Sequence, residues 1–194
     1  MTCLVAAFVV TSLGEGVGTV SLPTFLDSSM SSVPLPFRFH ILACCCGVAA
    51  GSAAFTAALI GRAHRSMGRL ALMLLVVGAV ASVPVAVKGA SSPLAKAAFL
   101  GQAATLVVAS LIGGLAGHRG RVRLHRACMI YAALALSGAP LSRLVLKLPN
   151  LWLNQADGYA AAAWFSWLAP FAVAACLRAA NSRPVSTVIA GASS

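Results

Sequence analysis

The chain has 194 residues, of which 60% are hydrophobic and 9% charged, with a formal net charge of +11. An average soluble domain carries about 25% charged residues, so too little polar surface is present for a water-soluble globule. A positive balance in a soluble protein would suggest nucleic acid, but here the basic residues border apolar runs, where anionic lipid headgroups are the expected partner, and nucleic-acid binding is rejected.

In chain order, residues 3–13 (CLVAAFVVTSL) are strongly apolar, yet these 11 residues would cover only about 16 Å of a hydrocarbon core about 30 Å thick. A cleaved signal peptide would carry a basic n-region, which is missing. The segment therefore reads as a marginal or half-inserted sixth span, followed by an outer Ser/Pro-rich loop over 23–37. Five long apolar runs follow at 39–61, 70–87, 94–117, 127–148 and 158–177. Each is read as a helix, because lipid offers the backbone no hydrogen-bond partner. The fold class is an all-α, polytopic transmembrane helix bundle of five spans plus the marginal N-terminal one. Its organisation is an N-terminal segment and outer loop at 1–36, the bundle at 37–178 and a polar tail at 179–194.

Following the alternation, Arg62, Arg65, Arg69, Arg119, Arg121, Arg123, Arg126, Arg178 and Arg183 fall on one face, and Arg38, Lys88, Lys96, Arg143 and Lys147 on the other. This is nine against five of the 14 basic residues, with Asp27 and Asp157 on the poorer side. The positive-inside rule places the Arg-rich face, its anionic headgroups and the C-terminal tail inside. Nothing in the pattern separates a plasma membrane from an organelle membrane.

Small residues let helices approach closely in lipid, and Gly47-Val-Ala-Ala-Gly51 and Gly113-Gly-Leu-Ala-Gly117 both fit that spacing. The spacing does not separate contacts within the chain from dimerisation. Pro84 and Pro140 each remove a backbone donor and interrupt the second and fourth spans. Cys44, Cys45 and Cys46 are consecutive, so on a helix their side chains splay about 100° apart and cannot face one metal; Cys3, Cys128 and Cys176 are isolated.

Among the histidines, His40 opens the first long span and His64 lies past its end, about 36 Å away along a continuous helix. They mark opposite interfaces and cannot share a ligand. His118 and His125 bracket the Arg-rich hairpin on the His64 side, so an inward-turned His64 and His125 could meet. A bis-histidine haem needs two imidazoles at equal depth, and only this side could supply them. Arg143 lies about 25 Å along the fourth span from Arg126, just inside the outer edge of the core. It marks either a buried polar site or a side chain that snorkels beside Lys147. With three acidic residues in the whole chain and no Gly-x-x-x-x-Gly-Lys-Ser/Thr pattern, paired-carboxylate hydrolysis and phosphate-loop chemistry are excluded.

The combination of Phe39-His40, His64-Arg65-Ser-Met-Gly68-Arg69, Leu124-His125-Arg126-Ala-Cys-Met129-Ile-Tyr131, Ser142-Arg143-Leu144 and the paired Trp164 and Trp167 resembles the domain of unknown function 2306 (DUF2306) family over about 37–178. The resemblance implies a multi-pass membrane protein without an established activity, and singles out His40, His64, Arg65, Gly68, Arg69, His125, Arg126, Met129, Arg143, Trp164 and Trp167. Where the family commonly has a Pro-Asn step and an acidic residue after the tryptophans, this chain has Ala169-Pro170-Phe171. The expected function is a small-ligand-binding or structural membrane component with a polar site near His40 and Arg143. The alternative is a haem-b-binding redox protein of broadly cytochrome b561-like architecture, with His64 and His125 as ligands.

Overall fold

In a computed structural model, residues 14, 31–60, 64–90, 92–146 and 155–181 are described. They form helices α1 (Pro34–Ile60), α2 (His64–Gly89), α3 (Pro93–His118), α4 (Val122–Leu136), α5 (Gly138–Leu146) and α6 (Gln155–Asn181), with no strand among the described residues. Local chemistry sets several of these boundaries. Ser92 caps α3 by accepting from the Ala95 amide at 3.2 Å, and Pro93 supplies the first helical position, where no amide donor is required. At its other end Gly120 adopts φ 70°, and the amides of Gly120 and Arg121 return to the carbonyls of Gly117 (3.2 Å) and Ala116 (2.8 Å). This left-handed glycine stop closes the hairpin to α4 in three residues.

Four helices are long and apolar enough to cross a membrane, over Pro34–Ala58, His64–Gly89, Pro93–His118 and Gly158–Ala179. The span expected at 127–148 is different. There the chain forms α4, of 15 residues, and α5, of 9, neither of which reaches across about 30 Å by itself. Pro140 is the cause, since its ring clashes with the carbonyl four residues back and it has no amide to offer that carbonyl. That carbonyl belongs to Leu136, where α4 ends. Pro84, by contrast, is carried inside α2 without dividing it. The marginal segment 3–13 and the tail from 182 onward lie outside the described residues.

Packing runs mainly between neighbours in sequence: α1 on α2, α2 on α3, α3 on α4 and α5 on α6, with α6 returning to α3 and α4. The central contact is built from Ala79, Leu106, Ala109, Ala132 and Ala135, and a second one near the other end from Ala90, Ala95 and Ala160. Large side chains such as Phe55, Val80, Leu111, Phe165 and Val173 face outward instead. Small residues inside and large apolar ones outside is the arrangement expected where the surroundings are lipid, because close backbone approach rather than exclusion of water holds the helices together.

Both small-residue motifs serve contacts within the chain. A Cβ at Gly47 would lie 2.8 Å from Leu75 Cδ2 and 3.2 Å from the Leu75 backbone nitrogen, whereas one at Gly51 would meet only Ala71 Cβ at an ordinary 3.8 Å. The two glycines of one motif should therefore respond differently. Gly47→Ala is expected to lower thermal stability in detergent by about 1–3 kcal/mol, since the leucine tip can move but the backbone behind it cannot. Gly51→Ala should be neutral, or stabilising by up to about 1 kcal/mol through helix propensity. Thermal unfolding followed by circular dichroism checks this, and equal losses would contradict the close α1–α2 approach.

Candidate functional site

The helix packing brings His64 and His125 together. Their ring centroids are 6.1 Å apart with planes at 81°. His64 stands at the start of α2 and its Nδ1 lies 2.9 Å from the carbonyl oxygen of Ala54 in α1. His125 stands in the first turn of α4 and its Nδ1 lies 2.8 Å from the Gly113 carbonyl oxygen in α3. A carbonyl oxygen can only accept, so in both rings Nδ1 is the donor and Nε2 is the nitrogen left outside that bond. The motif Gly113-Gly-Leu-Ala-Gly117 explains how His125 fits: Gly113 provides the acceptor, and a Cβ at Gly117 would come within 3.0 Å of His125 Nδ1. Met129, one turn further along α4, packs its methyl against Gly113, where a Cβ would displace it.

Around the pair, Arg65, Arg69 and Arg126 are exposed, and so is His118. Gly68, one turn after His64 on the same face, has open space where its Cβ would be. Arg178 at the end of α6 reaches Tyr131 of α4, so the arginines of α2, α4 and α6 gather at one end of the bundle. Arg62 and Arg183 lie outside the described residues.

His40 sits elsewhere. It lies two turns inside α1, because the helix begins at Pro34 rather than at 39, and its Nδ1 is 2.8 Å from the Gly78 carbonyl oxygen and 3.6 Å from Cys44 Sγ. From His40 to Ala54, the level of His64, is about 21 Å of helix. This is shorter than the roughly 36 Å of one continuous helix from His40 to His64, and the two rings still cannot share a ligand. Arg143 falls in α5, its side chain outside the described residues. α1 packs on α2 and α5 on α6, so His40 and Arg143 belong to helices with different partners.

One polar side chain escaped sequence reasoning. Gln102, in the middle of α3, donates from Nε2 to the Ala135 carbonyl oxygen at 2.8 Å, beside the Ser137–Gly138 break. In an unbroken helix that carbonyl would receive its bond from residue 139. The amide thus supports backbone at the point where Pro140 divides the span, a device that lipid makes necessary. Gly138 is the complementary feature, since a Cβ there would meet Gln102 Nε2 at 2.5 Å and Trp167 Cβ at 3.0 Å. The signal available beforehand was a lone amide in an otherwise apolar run. Gln102→Leu should cost about 1–3 kcal/mol, the penalty of stranding a buried acceptor. A thermal midpoint unchanged from the parent's would show that the break needs no such support.

The two tryptophans of α6 differ. Trp164 donates from Nε1 to the Leu94 carbonyl oxygen at 3.1 Å, tying α6 to the start of α3. Trp167 is buried against Gly101, and its Nε1, like Ser110 Oγ, finds no partner among the described residues. No group of three or more His, Cys, Asp or Glu side chains converges on a metal-sized site among the described residues.

Comparison with protein families gives one match, to the family described as "Predicted membrane protein (DUF2306)", over residues 37–177. No curated protein and no solved structure matches the chain.

Proposed function

Because the chain belongs to the DUF2306 family of predicted membrane proteins, and the matched stretch includes His64 and His125, we propose that this pair is its working centre and supplies the axial ligands of a haem b in a membrane redox protein. The observation that carries the reading is the shared ring state at close range. Both imidazoles are oriented by an Nδ1–H bond to a helix carbonyl, in both Nε2 stands outside that bond, and their centroids are 6.1 Å apart. His64 and His125 would hold the iron through their Nε2 atoms. The Nδ1 bond also fixes ring orientation and raises ligand basicity, as is usual behind metal-bound histidines.

The size of the ligand set favours haem over a bare ion. A structural zinc takes about four protein ligands, and the described residues offer no such group here. A haem brings four equatorial nitrogens of its own and needs only the axial positions filled. Open space at Gly68 adjoins His64 on its helix face, and Arg65, Arg69 and Arg126 offer cations to the porphyrin carboxylates at the membrane surface. When bound, the group would supply one-electron chemistry. The residues' own work is to hold two imidazoles and offset two negative charges. The excess of arginine supports an inner-side location for this end, with anionic headgroups as its lipid partners.

A second reading is that the histidines are staples between helices, which polar side chains in lipid commonly are. It is favoured by His40, which makes the same Nδ1 contact with Gly78. For the polar site expected at His40 and Arg143, the Arg143 side chain lies outside the described residues. The absorption spectrum of the full chain, purified in detergent after expression with added haem precursor, separates the readings. A Soret band with low-spin character supports the haem centre; a colourless, folded and monodisperse protein would sink it and leave the staples.

A further inference from the structure

A groove of about 440 Å3 runs between α4 and α6 at the arginine-rich end, lined by Tyr131, Leu134, Phe171, Ala174, Ala175 and Arg178. The α6 members follow an i, i+3, i+4, i+7 spacing and the α4 members an i, i+3 spacing, so each helix gives one continuous face. The floor is apolar. Tyr131 and Phe171 stack at 5.7 Å with planes 15° apart, and only the mouth is polar. There the Arg178 guanidinium lies 5.8 Å over the Tyr131 ring, and Nη1 donates to the Tyr131 hydroxyl oxygen in a long 3.4 Å contact. The whole chain has only three acidic residues to thirteen further basic ones. A guanidinium has five donors in a fork suited to phosphate, and this one stands at an exposed position in the last turn of a span, its contact with Tyr131 being a long one among the described residues.

We propose that this groove is a site for an anionic phospholipid, with one acyl chain lying against Leu134, Phe171 and Ala174 and the phosphate held by Arg178 and the Tyr131 hydroxyl. Charge complementarity identifies the occupant: a cation at the headgroup end, an apolar channel leading from it into the bilayer core, and a volume within the roughly 300–1,000 Å3 of small-molecule sites. A zwitterionic lipid fits the channel but brings its own ammonium to the arginine. The site does not depend on what the histidine pair binds.

Native mass spectrometry of the full chain, released from detergent with equal amounts of dioleoyl phosphatidylglycerol and dioleoyl phosphatidylcholine, tests the assignment. The expected result is preferential retention of one phosphatidylglycerol, reduced about tenfold by Arg178→Gln, the order of effect of one charge-assisted bond. Arg119→Gln, a loop arginine away from the groove, should leave retention unchanged. Ala174→Trp fills the channel without altering charge, and should reduce retention to a similar degree. It decides the matter if Arg178→Gln does not fold. Equal retention of the two lipids, equal loss in the Arg178 and Arg119 variants, or full retention in Ala174→Trp would overturn the proposal.

Discussion

If the proposed haem centre is present, His125→Ala should remove the Soret absorbance of the purified protein, lowering haem content by more than about tenfold, and His64→Ala should do the same, because an iron that both imidazoles would hold loses much of its protein attachment with either. His40→Ala and His118→Ala are the informative controls. His40 is about 21 Å of helix from the pair and His118 is exposed beyond it, so both variants should keep the band at its original position. Pyridine haemochrome analysis, normalised to folded protein by size-exclusion chromatography, gives the occupancy. Loss of the band in His40→Ala equal to that in His125→Ala would locate the centre elsewhere in the bundle. Retention in the His64→Ala, His125→Ala double variant would eliminate the pair.

The largest effect on stability is expected at Gly78. A Cβ there would fall 2.6 Å from Cys44 Sγ and 3.1 Å from the Cys44 backbone nitrogen, while the Gly78 carbonyl receives the His40 imidazole. Gly78→Val should therefore drive α1 from α2 and stretch a polar contact in the same movement, costing about 3 kcal/mol or more, at the upper end for overpacking. Most of the protein should then leave the monodisperse peak in detergent. Cys44→Ala removes one of the two obstacles, so Gly78→Ala in that background should recover part of the loss suffered by Gly78→Ala alone. Independent, additive effects of the two substitutions would mean that residues 44 and 78 do not share this contact.

Much of the fold was legible because lipid narrows the choices. Once apolar runs of crossing length are separated by arginines, helices follow, and their ends fall where Ser92, Pro93 and Gly120 provide a cap, a first turn and a left-handed stop. The broken span was half legible. Pro140 marks a disturbance, but hydropathy continues through it, and only the structure shows the ladder divided between Leu136 and Gly138 with Gln102 beside the gap. A lone amide has no periodicity, so nothing in the sequence tied Gln102 to a carbonyl 33 residues away. The histidine pair was anticipated as a meeting of His64 and His125, since both border the same arginine-rich end. Its seat was not. Gly113 and Gly117 have the spacing of a packing motif, and the spacing says nothing of the imidazole that occupies it. The first long span was begun at 39, although the helix continues past Arg38 to Pro34.

The neighbour-on-neighbour packing bears on how the protein is made. α1 and α2 close on one another through Gly47, Gly51 and Gly78, contacts that need no residue beyond the end of α2. The α3–α4 hairpin likewise holds its own turn and its own histidine bond. Contacts between segments close in the chain form fastest, and synthesis delivers the N-terminal ones first. Each hairpin can therefore settle while the ribosome is still extending the next, and α5, 9 residues long, must wait for the last helix to gain most of its packing. Truncation before α6 would leave the nascent chain with two finished hairpins and one short apolar segment in search of cover, which is where a quality-control protease would find its foothold.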